Sequence, residues 1–369
     1  MENIQKNTGN NWWIFPGFQI EHLVTGLDLP VNISFVKNLP KNPKEPLLYI
    51  SELYGHVKVV TKDWSVLTYA KDLLNFKPDF RFPGTGESGV TGIVVEPNSG
   101  DLFISLIYED NGNLKSKVIR MGSNDGLKMT RQTTIIDNIP STHAAHQIQA
   151  LTIGFDNKLY VNIGDGKVEP NVAQNDNDLR GKILRMNFDG TIPDDNPNPK
   201  SFVYAKGLRN PFGAVWRKSD KCLYISDNGP DNDDRLAKII PGGNYGWPGS
   251  MRESSIFYWD YTQAPTAIDF CQYGQFPEKY NDELFVSLYG YAYMKGRNVK
   301  GKKIVKMRLN KNGSGIISYD EFATYTGDGP AAPCGLSFGP GGLYFTDLHG
   351  DLGDKTDKPT GNLYRIKPI

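Results

Sequence analysis

The residues best suited to proton transfer are His146 and Asp165, which lie 19 positions apart. His146 stands just before one predicted strand, and Asp165 follows the partner strand. The ends of an antiparallel hairpin meet, so the two side chains are expected to lie together. A carboxylate fixes the tautomer of a histidine and stabilises its charged form, which makes the imidazole a good general base. On spacing alone, a structural histidine with satisfied hydrogen bonds is the alternative.

A second segment, Gly207–Gly213, places Arg209 and Asn210 in a tight turn next to Pro211, at the start of a predicted strand. The guanidinium and amide groups would form a fork of donors that suits an anionic oxygen. An ordinary turn with a surface arginine is the alternative. The segment therefore predicts an anion-binding position without proving one.

A third segment, Asp227–Asp234, carries four acids within eight residues, with the carbonyl groups of Gly229 and Pro230 between them. Oxygen ligands of this kind suit the hard cation Ca²⁺, although the spacing is not that of an EF-hand loop. The motif Gly242–Pro248 follows shortly afterwards. The alternative is a solvated acidic loop.

The fourth segment, Gly84–Gly92, contains four glycines around Glu87 and Ser88. Glycines let a ligand approach the backbone closely. The segment lacks the Gly-Lys-Ser/Thr ending of a phosphate-binding loop, so a nucleotide site is not expected. A plain flexible turn is the alternative.

The elements that must position these segments are indicated by a repeat. A Leu, a Tyr or Phe, and then a β-branched or aromatic residue recur six times, at intervals of 54 to 64 residues. Each copy is followed by a second apolar strand after a turn. Even repetition of such a unit predicts an all-β, six-bladed β-propeller, whose loops meet at one end of a central channel. The six copies begin at Leu48, Leu102, Leu159, Leu223, Leu284 and Leu343.

The repeat uses nearly the whole chain, so 1–369 is predicted to be a single domain. Residues 1–25 are expected to be a lead-in strand that closes the ring near the C-terminus. Three long connections, 167–180, 189–201 and 249–265, are expected to be functional, as long loops in compact domains usually are. The predicted blades cover 27–75, 85–137, 145–190, 200–245, 265–312 and 330–369.

The overall composition excludes several classes of protein. The 41 acidic and 41 basic residues balance, and no block of like charge favours a nucleic acid or an anionic membrane as partner. No apolar run reaches the roughly 18 residues of a transmembrane segment. The first 13 residues are polar and contain no signal-peptide core, so either the protein is cytosolic or a leader has been removed. The three cysteines are expected to be buried thiols, with one disulfide possible.

Taken in order, the four segments resemble the soluble quinoprotein glucose/sorbosone dehydrogenase family. The matching residues are Gly86–Gly92, His146–Asp165, Gly181–Pro197, Gly207–Gly213, Asn228–Asp234 and Gly242–Pro248. The specific match covers roughly residues 80–250, and the rest matches as blades only. Members of this family are six-bladed propellers that use pyrroloquinoline quinone (PQQ) and Ca²⁺.

The resemblance implies a role for each catalytic group. His146 would take the proton from the sugar C1 hydroxyl while hydride passes to the quinone, and Asp165 would orient the imidazole. Arg209 and Asn210 would contact the quinone oxygens, and Arg209 would stabilise charge as the quinone is reduced. Glu87 takes the place of a family amide near the substrate.

The resemblance also implies a cation site and a cofactor pocket. The carbonyl groups of Gly229 and Pro230 would bind the Ca²⁺ that polarises the quinone carbonyl. Asn228 and Asp234 would lie in the same pocket. The family holds the PQQ carboxylates with Lys and Arg from the fifth blade, and here Lys302 and Lys303 lie near the expected Arg. Arg235 replaces the acid that usually follows Asp234.

Three functions remain open at this point. The first is Ca²⁺/PQQ-dependent oxidation of an aldose or other polyol, with electrons passed to an external acceptor. The second is a non-redox Ca²⁺-binding propeller that binds carbohydrate or protein. The third is a metal-dependent lactonase, with Glu87, Asp165 and Asp234 as ligands. By resemblance, a periplasmic or extracellular location is expected. Fold alone cannot choose among the three.

Overall fold

A computed structural model describes residues 11–77, 87–141, 145–167, 169–290, 301–353 and 358–369. These residues form 25 β-strands and two 3₁₀ helices, η1 (Pro170–Gln174) and η2 (Glu278–Tyr280), and contain no α-helix. The strands are β1 (Trp12–Ile14), β2 (Phe18–Leu27), β3 (Pro30–Phe35), β4 (Pro46–Glu52), β5 (His56–Thr61), β6 (Val66–Ala70), β7 (Val90–Val95), β8 (Leu102–Asp110), β9 (Asn113–Gly122), β10 (Arg131–Pro140), β11 (Ile148–Ile153), β12 (Leu159–Ile163), β13 (Lys182–Met186), β14 (Val203–Lys206), β15 (Pro211–Trp216), β16 (Leu223–Asp227), β17 (Asp234–Ile239), β18 (Phe257–Trp259), β19 (Pro265–Phe270), β20 (Glu283–Leu288), β21 (Lys303–Leu309), β22 (Ile316–Tyr325), β23 (Pro333–Gly339), β24 (Gly342–Asp347) and β25 (Gly361–Pro368).

The strands form six antiparallel sheets, which confirms the predicted six-bladed propeller. Blade one is β3–β6, blade two β7–β10, blade three β11–β14, and blade four β15–β18. Blade five is β19–β22, with β1 added at its edge. Blade six consists of β23–β25, and β2 supplies its outer strand.

The ends of the chain meet in blade six. Strand β2 pairs with β25 in a register that runs from Phe18 opposite Pro368 to Leu27 opposite Gly361. Strand β1 pairs instead with β22 of blade five. Because the first and last parts of the chain share a sheet, the ring is held closed by backbone hydrogen bonds. Residues 1–10 of the predicted lead-in lie outside the described residues, and the assignment of the whole chain to one domain stays a prediction.

Three predicted blade limits were wrong, and all three errors concern outer strands. Strand β14 belongs to blade three, although the prediction placed residues from 200 onwards in blade four. Blade four extends to β18, inside the predicted connection 249–265. Blade five extends through β22 to Tyr325. Outer strands have one solvent-facing edge, and these three are very short or largely exposed along part of their length, so they carry no apolar signature.

The core lies between the blades. Six large clusters of buried apolar side chains each join two neighbouring blades around the ring. Between blades five and six, Trp12 packs against Tyr325, Phe345 and Tyr364, with ring centroids 5.0–6.2 Å apart. Aromatic side chains bury large areas and pack in such tilted arrangements. The aromatic content of the sequence is therefore explained by the contacts between sheets. All three cysteines are free, so no disulfide crosses these interfaces.

One face of the ring collects the residues singled out above. The second strand of each blade ends at this face and the third begins there, as in the pairs Ile163 with Lys182 and Asp227 with Arg235. The connections from a fourth strand to the next blade's first strand lie at the same face. His146 and Arg209 are on two of these connections. No helix among the described residues is long and apolar enough to span a bilayer.

Candidate active site

His146 and Asp165 lie together, where the two ends of the β11–β12 hairpin meet. Nδ1 of His146 is 2.6 Å from Oδ1 of Asp165, and both residues are buried. Ile148 pairs with Ile163, which brings the residues just outside the hairpin face to face. A carboxylate can only accept hydrogen bonds, so Nδ1 carries the proton and Nε2 keeps its lone pair. Nε2 has no hydrogen-bond partner among the described residues.

Asp165 is held ionised by three donors. Besides His146, it accepts hydrogen bonds from the backbone N–H of Lys167 (2.8 Å) and from Nε1 of Trp247 (2.8 Å). Burial alone would raise its pKa, but the hydrogen bond and charge of His146, with the two other donors, lower the pKa below its usual value. The backbone N–H of Asp165 also donates to the carbonyl of Arg209 (2.8 Å). Asp165 therefore anchors the imidazole and links blades three and four.

The backbone around His146 is strained and closely packed. His146 has φ +58°, in the left-handed region that non-glycine residues seldom adopt. Its carbonyl group accepts from the N–H of Gly166 (3.0 Å). An ideal Cβ on Gly164 would lie 2.6 Å from the carbonyl carbon of His146, and closer still to the oxygen. Only glycine allows this approach, and strain of this kind is typical of functional positions.

Glu87 joins three of the inter-blade connections. Its Oε2 accepts from the backbone N–H of His146 (2.9 Å), from Nε2 of Gln149 (3.3 Å) and from Nδ2 of Asn210 (3.4 Å). Oε1 has no hydrogen-bond partner among the described residues. Gly84, Thr85 and Gly86 of the glycine-rich segment, like His143, lie outside the described residues. The carboxylate of Glu87 thus sits beside the imidazole-bearing residue.

Arg209 lies between the His146 pair and the acidic loop. Its Nη1 donates to the carbonyl groups of Asn228 (2.8 Å) and Gly229 (2.6 Å), and its guanidinium lies 5.4 Å from the ring centroid of Trp247. Burial lowers the pKa of Arg209, and the nearby carboxylates of Asp165, Asp227, Asp234 and Glu87 offset this only in part. The guanidinium is nevertheless charged at every physiological pH. Arg209 is partly buried and its guanidinium is held by these contacts, which disfavours the alternative of an ordinary surface arginine.

Asp227 and Asp234 are buried at the two ends of the acidic loop, so the alternative of a solvated loop does not hold for these two residues. Asp234 accepts hydrogen bonds from the backbone N–H groups of Gly229, Gln263 and Ala264 (2.7–2.8 Å). Burial nonetheless raises the pKa of Asp234 to about 6. With all three bonds made to backbone, Asp234 shapes the loop. Pro230, by contrast, is exposed.

Two neighbouring amide oxygens are buried without a partner. Oδ1 of Asn210 and Oδ1 of Asn228 have no hydrogen-bond donor among the described residues. A buried acceptor without a donor is costly, so it calls for a ligand or water. The two residues are joined through their backbones, since the N–H of Asn228 donates to the carbonyl group of Asn210 (3.0 Å). The site thus offers several uncommitted oxygen ligands.

The comparisons with known proteins identify the family of the chain. The sequence profile of the family described as Glucose / Sorbosone dehydrogenase matches residues 39–314. The chain belongs to the glucose/sorbosone dehydrogenase family. The predicted family resemblance is therefore confirmed, and the match extends beyond residues 80–250.

Individual members of the glucose/sorbosone dehydrogenase family are moderately similar. Quinoprotein glucose dehydrogenase B of Acinetobacter calcoaceticus is 32% identical over 223 residues, which cover 51% of this chain and 46% of that protein. An aldose sugar dehydrogenase of Escherichia coli is 25% identical over 257 residues, covering 61% and 66%. The chain thus spans about half to two thirds of these relatives. The PQQ-bound aldose sugar dehydrogenase of Streptomyces coelicolor has the same fold, with TM-score 0.72, 22% identity, and 96% and 100% coverage.

The two lysines that the family resemblance singled out have partners in blade five and in the segment that follows it. Lys302 is buried, donates to the carbonyl of Gly329 (2.9 Å) and lies 5.2 Å from the ring centroid of Tyr325. Burial lowers the pKa of Lys302 to about 8, against the attraction of Asp347. Lys303 instead forms an ion pair with Glu321 on the outer strand of blade five. Its predicted part in cofactor binding is untested, and this pairing disfavours it.

Sequence reasoning missed two residues that complete the site of this family member. Trp247 hydrogen-bonds Asp165 and covers Arg209, and Arg235 is a fully buried cation beside Asp227. Trp247 was part of a quoted motif, yet nothing in its spacing pointed to Asp165, 82 residues away. Arg235 stood out only as a charge reversal against the family pattern.

Proposed function

We propose that this protein is a Ca²⁺- and PQQ-dependent oxidoreductase that oxidises an aldose or related polyol to a lactone or ketone. The observation that carries this proposal is the buried pair of His146 and Asp165, with Arg209 joined to it through the backbone. An external electron acceptor is required to complete the reaction. By resemblance, the protein works in the periplasm or outside the cell.

His146 is the general base in this proposal. Asp165 holds the proton on Nδ1, so Nε2 is free to take a proton from a substrate hydroxyl. The positive charge that forms on the ring is stabilised by the adjacent carboxylate, whose own pKa is lowered. Proton removal and charge stabilisation are thus provided by one hydrogen-bonded pair.

The oxygen-rich loop fits a hard divalent cation. The uncommitted Oδ1 atoms of Asn210 and Asn228 and the carbonyl groups of Gly229 and Pro230 are ligands of the type that Ca²⁺ prefers. The carbonyl of Gly229 already accepts from Arg209, but a carbonyl oxygen has a second lone pair. Nearby carboxylates add negative charge. Gly229 and Pro230 would hold the cation, with the two asparagines close by.

The cationic groups fit an anionic cofactor. Arg209 and Asn210 would bind it beside His146, and Lys302 would meet it as a point charge from the blade-five side. Glu87 would lie near the substrate, and its free Oε1 can accept a hydrogen bond from a sugar hydroxyl. When bound, PQQ supplies the two-electron acceptor that amino acid side chains lack.

The two other functions are less well supported. Among the described residues, no three His, Cys, Asp or Glu side chains are placed to bind one metal ion. The carboxylates named as ligands for a lactonase are committed elsewhere, Asp165 to His146 and Asp234 to three backbone N–H groups. A non-redox Ca²⁺-binding propeller would use the same oxygen-rich loop. The loop therefore does not distinguish it from the PQQ-dependent enzyme, and an experiment is needed.

The purified protein is titrated with PQQ in the presence and absence of Ca²⁺, with cofactor absorbance as readout. Dye reduction is then measured with a panel of sugars. We expect Ca²⁺-dependent PQQ binding and sugar-dependent dye reduction, and His146→Gln should bind PQQ yet lose turnover. Ca²⁺ binding without PQQ binding would favour the non-redox propeller, and chelator-sensitive lactone hydrolysis would favour the lactonase.

Substitution of Lys302 tests the cofactor site through a change in PQQ affinity. Lys302→Met should weaken PQQ binding by about 10- to 100-fold, the effect of losing a hydrogen bond from a charged donor. Lys306→Met is the matched control, because Lys306 is a buried lysine of β21 that pairs with Asp320. Equal PQQ affinity in the Lys302 variant and the control would remove Lys302 from the proposed site.

A further inference from the structure

Arg235 is one of the most completely buried residues of the chain. Its side chain is 0% exposed and makes six hydrogen bonds. Nε and Nη2 bind Oδ2 of Asp227 at 3.0 and 2.7 Å. A guanidinium is satisfied in this way only where several acceptors have been placed around it. Its acceptors are Asp227 Oδ2 (twice), Ser254 Oγ and the carbonyl groups of Gly207, Tyr245 and Met251.

One side of this network leads to Arg209. Asp227 binds Arg235 through Oδ2, and its Oδ1 accepts from the backbone N–H groups of Arg209 (3.2 Å) and Asn210 (2.7 Å). The carbonyl of Arg209 in turn accepts from the N–H of Asp165. Arg235 is therefore connected to Asp165 by an unbroken path of hydrogen bonds and one residue's backbone.

The other side leads to Trp247. Arg235 Nη1 binds the carbonyl groups of Tyr245 and Met251, on either side of Trp247 (2.7 and 2.9 Å). The backbone N–H of Trp247 donates to the carbonyl of Gly207, which also accepts from Arg235. Nε1 of Trp247 then reaches the second oxygen of Asp165. Both flanks of Asp165 thus depend on one guanidinium.

The ion pair also decides where Arg209 points. Asp227 directly precedes Asn228, whose carbonyl group Arg209 binds. Oδ2 of this buried carboxylate is already bound by Arg235. Within the described ranges, no carboxylate is hydrogen-bonded to the guanidinium of Arg209, which binds neutral carbonyl groups instead. Without Arg235, the buried carboxylate of Asp227 would lose its ion-pair partner, and Arg209 is another arginine close to it.

We propose that Arg235 is a positioning residue that sets the geometry of the pair formed by His146 and Asp165 and keeps Arg209 available to a ligand. The inference about Arg209 rests on the proposed function. The inference about His146 does not, because that pair exists without a cofactor. Arg235 acts through its fork of donors and not only through its charge.

The experiment compares three variants: Arg235→Met, Arg235→Lys and the double variant Arg235→Met/Asp227→Asn. The first readout is the His146 Nδ1 proton in ¹⁵N-histidine-labelled apo protein, assigned by its loss in His146→Gln. The second is the melting temperature. Among five histidines, the short bond to Asp165 should give the His146 proton a distinct downfield resonance.

We expect the double variant to recover most of the melting temperature lost in Arg235→Met, because no unpaired charge remains buried. The His146 resonance should stay lost or shifted upfield in all three variants, since none restores the fork that holds Trp247. With PQQ and Ca²⁺ bound, kcat of the variants should fall about 10- to 100-fold, as it does for other residues that hold a reacting group in place through hydrogen bonds.

Arg217→Met is the matched control. Arg217 is also a buried arginine of blade four, and it pairs with Asp282. It follows the C-terminal end of β15, whereas Arg209 precedes the start of that strand. Loss of Arg217 should lower the melting temperature and leave the His146 resonance unchanged. A normal resonance in Arg235→Lys or in the double variant would overturn the proposal and leave Arg235 as a charge partner only. If the His146 resonance of the apo variants behaves as expected but the wild-type protein oxidises no sugar, the proposed function is refuted and the inference about His146 stands.

Discussion

Gly164→Ala tests directly whether the position of His146 is set by close backbone packing. The added Cβ would lie 2.6 Å from the carbonyl carbon of His146, and real Cβ contacts are essentially never below 3.0 Å. The backbone at one of these residues must therefore move by at least 0.4 Å. No rotamer change can relieve the contact, because the opposing atoms are backbone. Gly164 is itself fixed on both sides, by its hydrogen bonds to Gln147 and Gly181.

The expected cost has two parts. Overpacking of this kind destabilises a protein by about 1–3 kcal/mol, which should lower the melting temperature by several degrees. A misplacement approaching 1 Å at a catalytic group costs up to about 100-fold in rate, so a shift of roughly half that size should lower kcat by about 10-fold. Calorimetry and dye-coupled turnover measure the two effects separately.

Gly315→Ala is the control, because its Cβ would meet only the side-chain nitrogen of Asn310, at 3.4 Å. That variant should match the wild type in both assays. Wild-type turnover together with a wild-type melting temperature in Gly164→Ala would refute the reasoning. A lower melting temperature with unchanged kcat would show that the backbone moves without displacing the imidazole.

Two further predictions concern the surroundings of the site. Trp247→Phe removes the donor to Asp165 but keeps an aromatic ring beside Arg209, so kcat should fall about 10-fold with KM unchanged; a raised KM with unchanged kcat would show that Trp247 acts in binding. Burial raises the pKa of Asp347 to about 6, so its charge destabilises the fold increasingly as the pH rises from about 4 to 6, by roughly 3 kcal/mol in total. From pH 4.5 to pH 7 the melting temperature should therefore fall less, or rise more, in Asp347→Asn than in the wild type, and an identical change in both proteins would contradict the pKa.

The blade architecture was predictable because each blade's second strand is buried on both sides. The residues Leu159, Tyr160 and Val161 are 0–1% exposed, so the sequence there has to be apolar in every copy. Outer strands have no such constraint. Strand β18 is three residues long with one exposed position, and strand β22 begins with a largely exposed stretch. Their limits follow from hydrogen bonding to the third strand, which the sequence does not display.

The same distinction applies to the site. His146 and Asp165 were predicted to meet because a hairpin is a local structure whose register follows from the chain. The contact of Trp247 with Asp165 joins two blades, and only the closed ring brings the two together. The buried position of Arg235 was equally hidden, since an arginine next to an acidic loop most often faces solvent. Long-range polar contacts had no local signal.

The unequal treatment of two arginines supports an anionic ligand. Arg235 and Arg209 approach the same buried carboxylate, Asp227, yet only Arg235 binds it with its side chain. The guanidinium of Arg209 is left with two carbonyl groups and an aromatic face, and burial lowers its pKa. Arg209 is partly buried, and neutral carbonyl groups compensate its charge less well than a hydrogen-bonded carboxylate would, so this arrangement costs stability. Such a cost is typical of functional sites, where a ligand supplies the missing charge. The side chain of Asp227 is thus hydrogen-bonded to the arginine that positions the site, which leaves the guanidinium of Arg209 to bind a ligand.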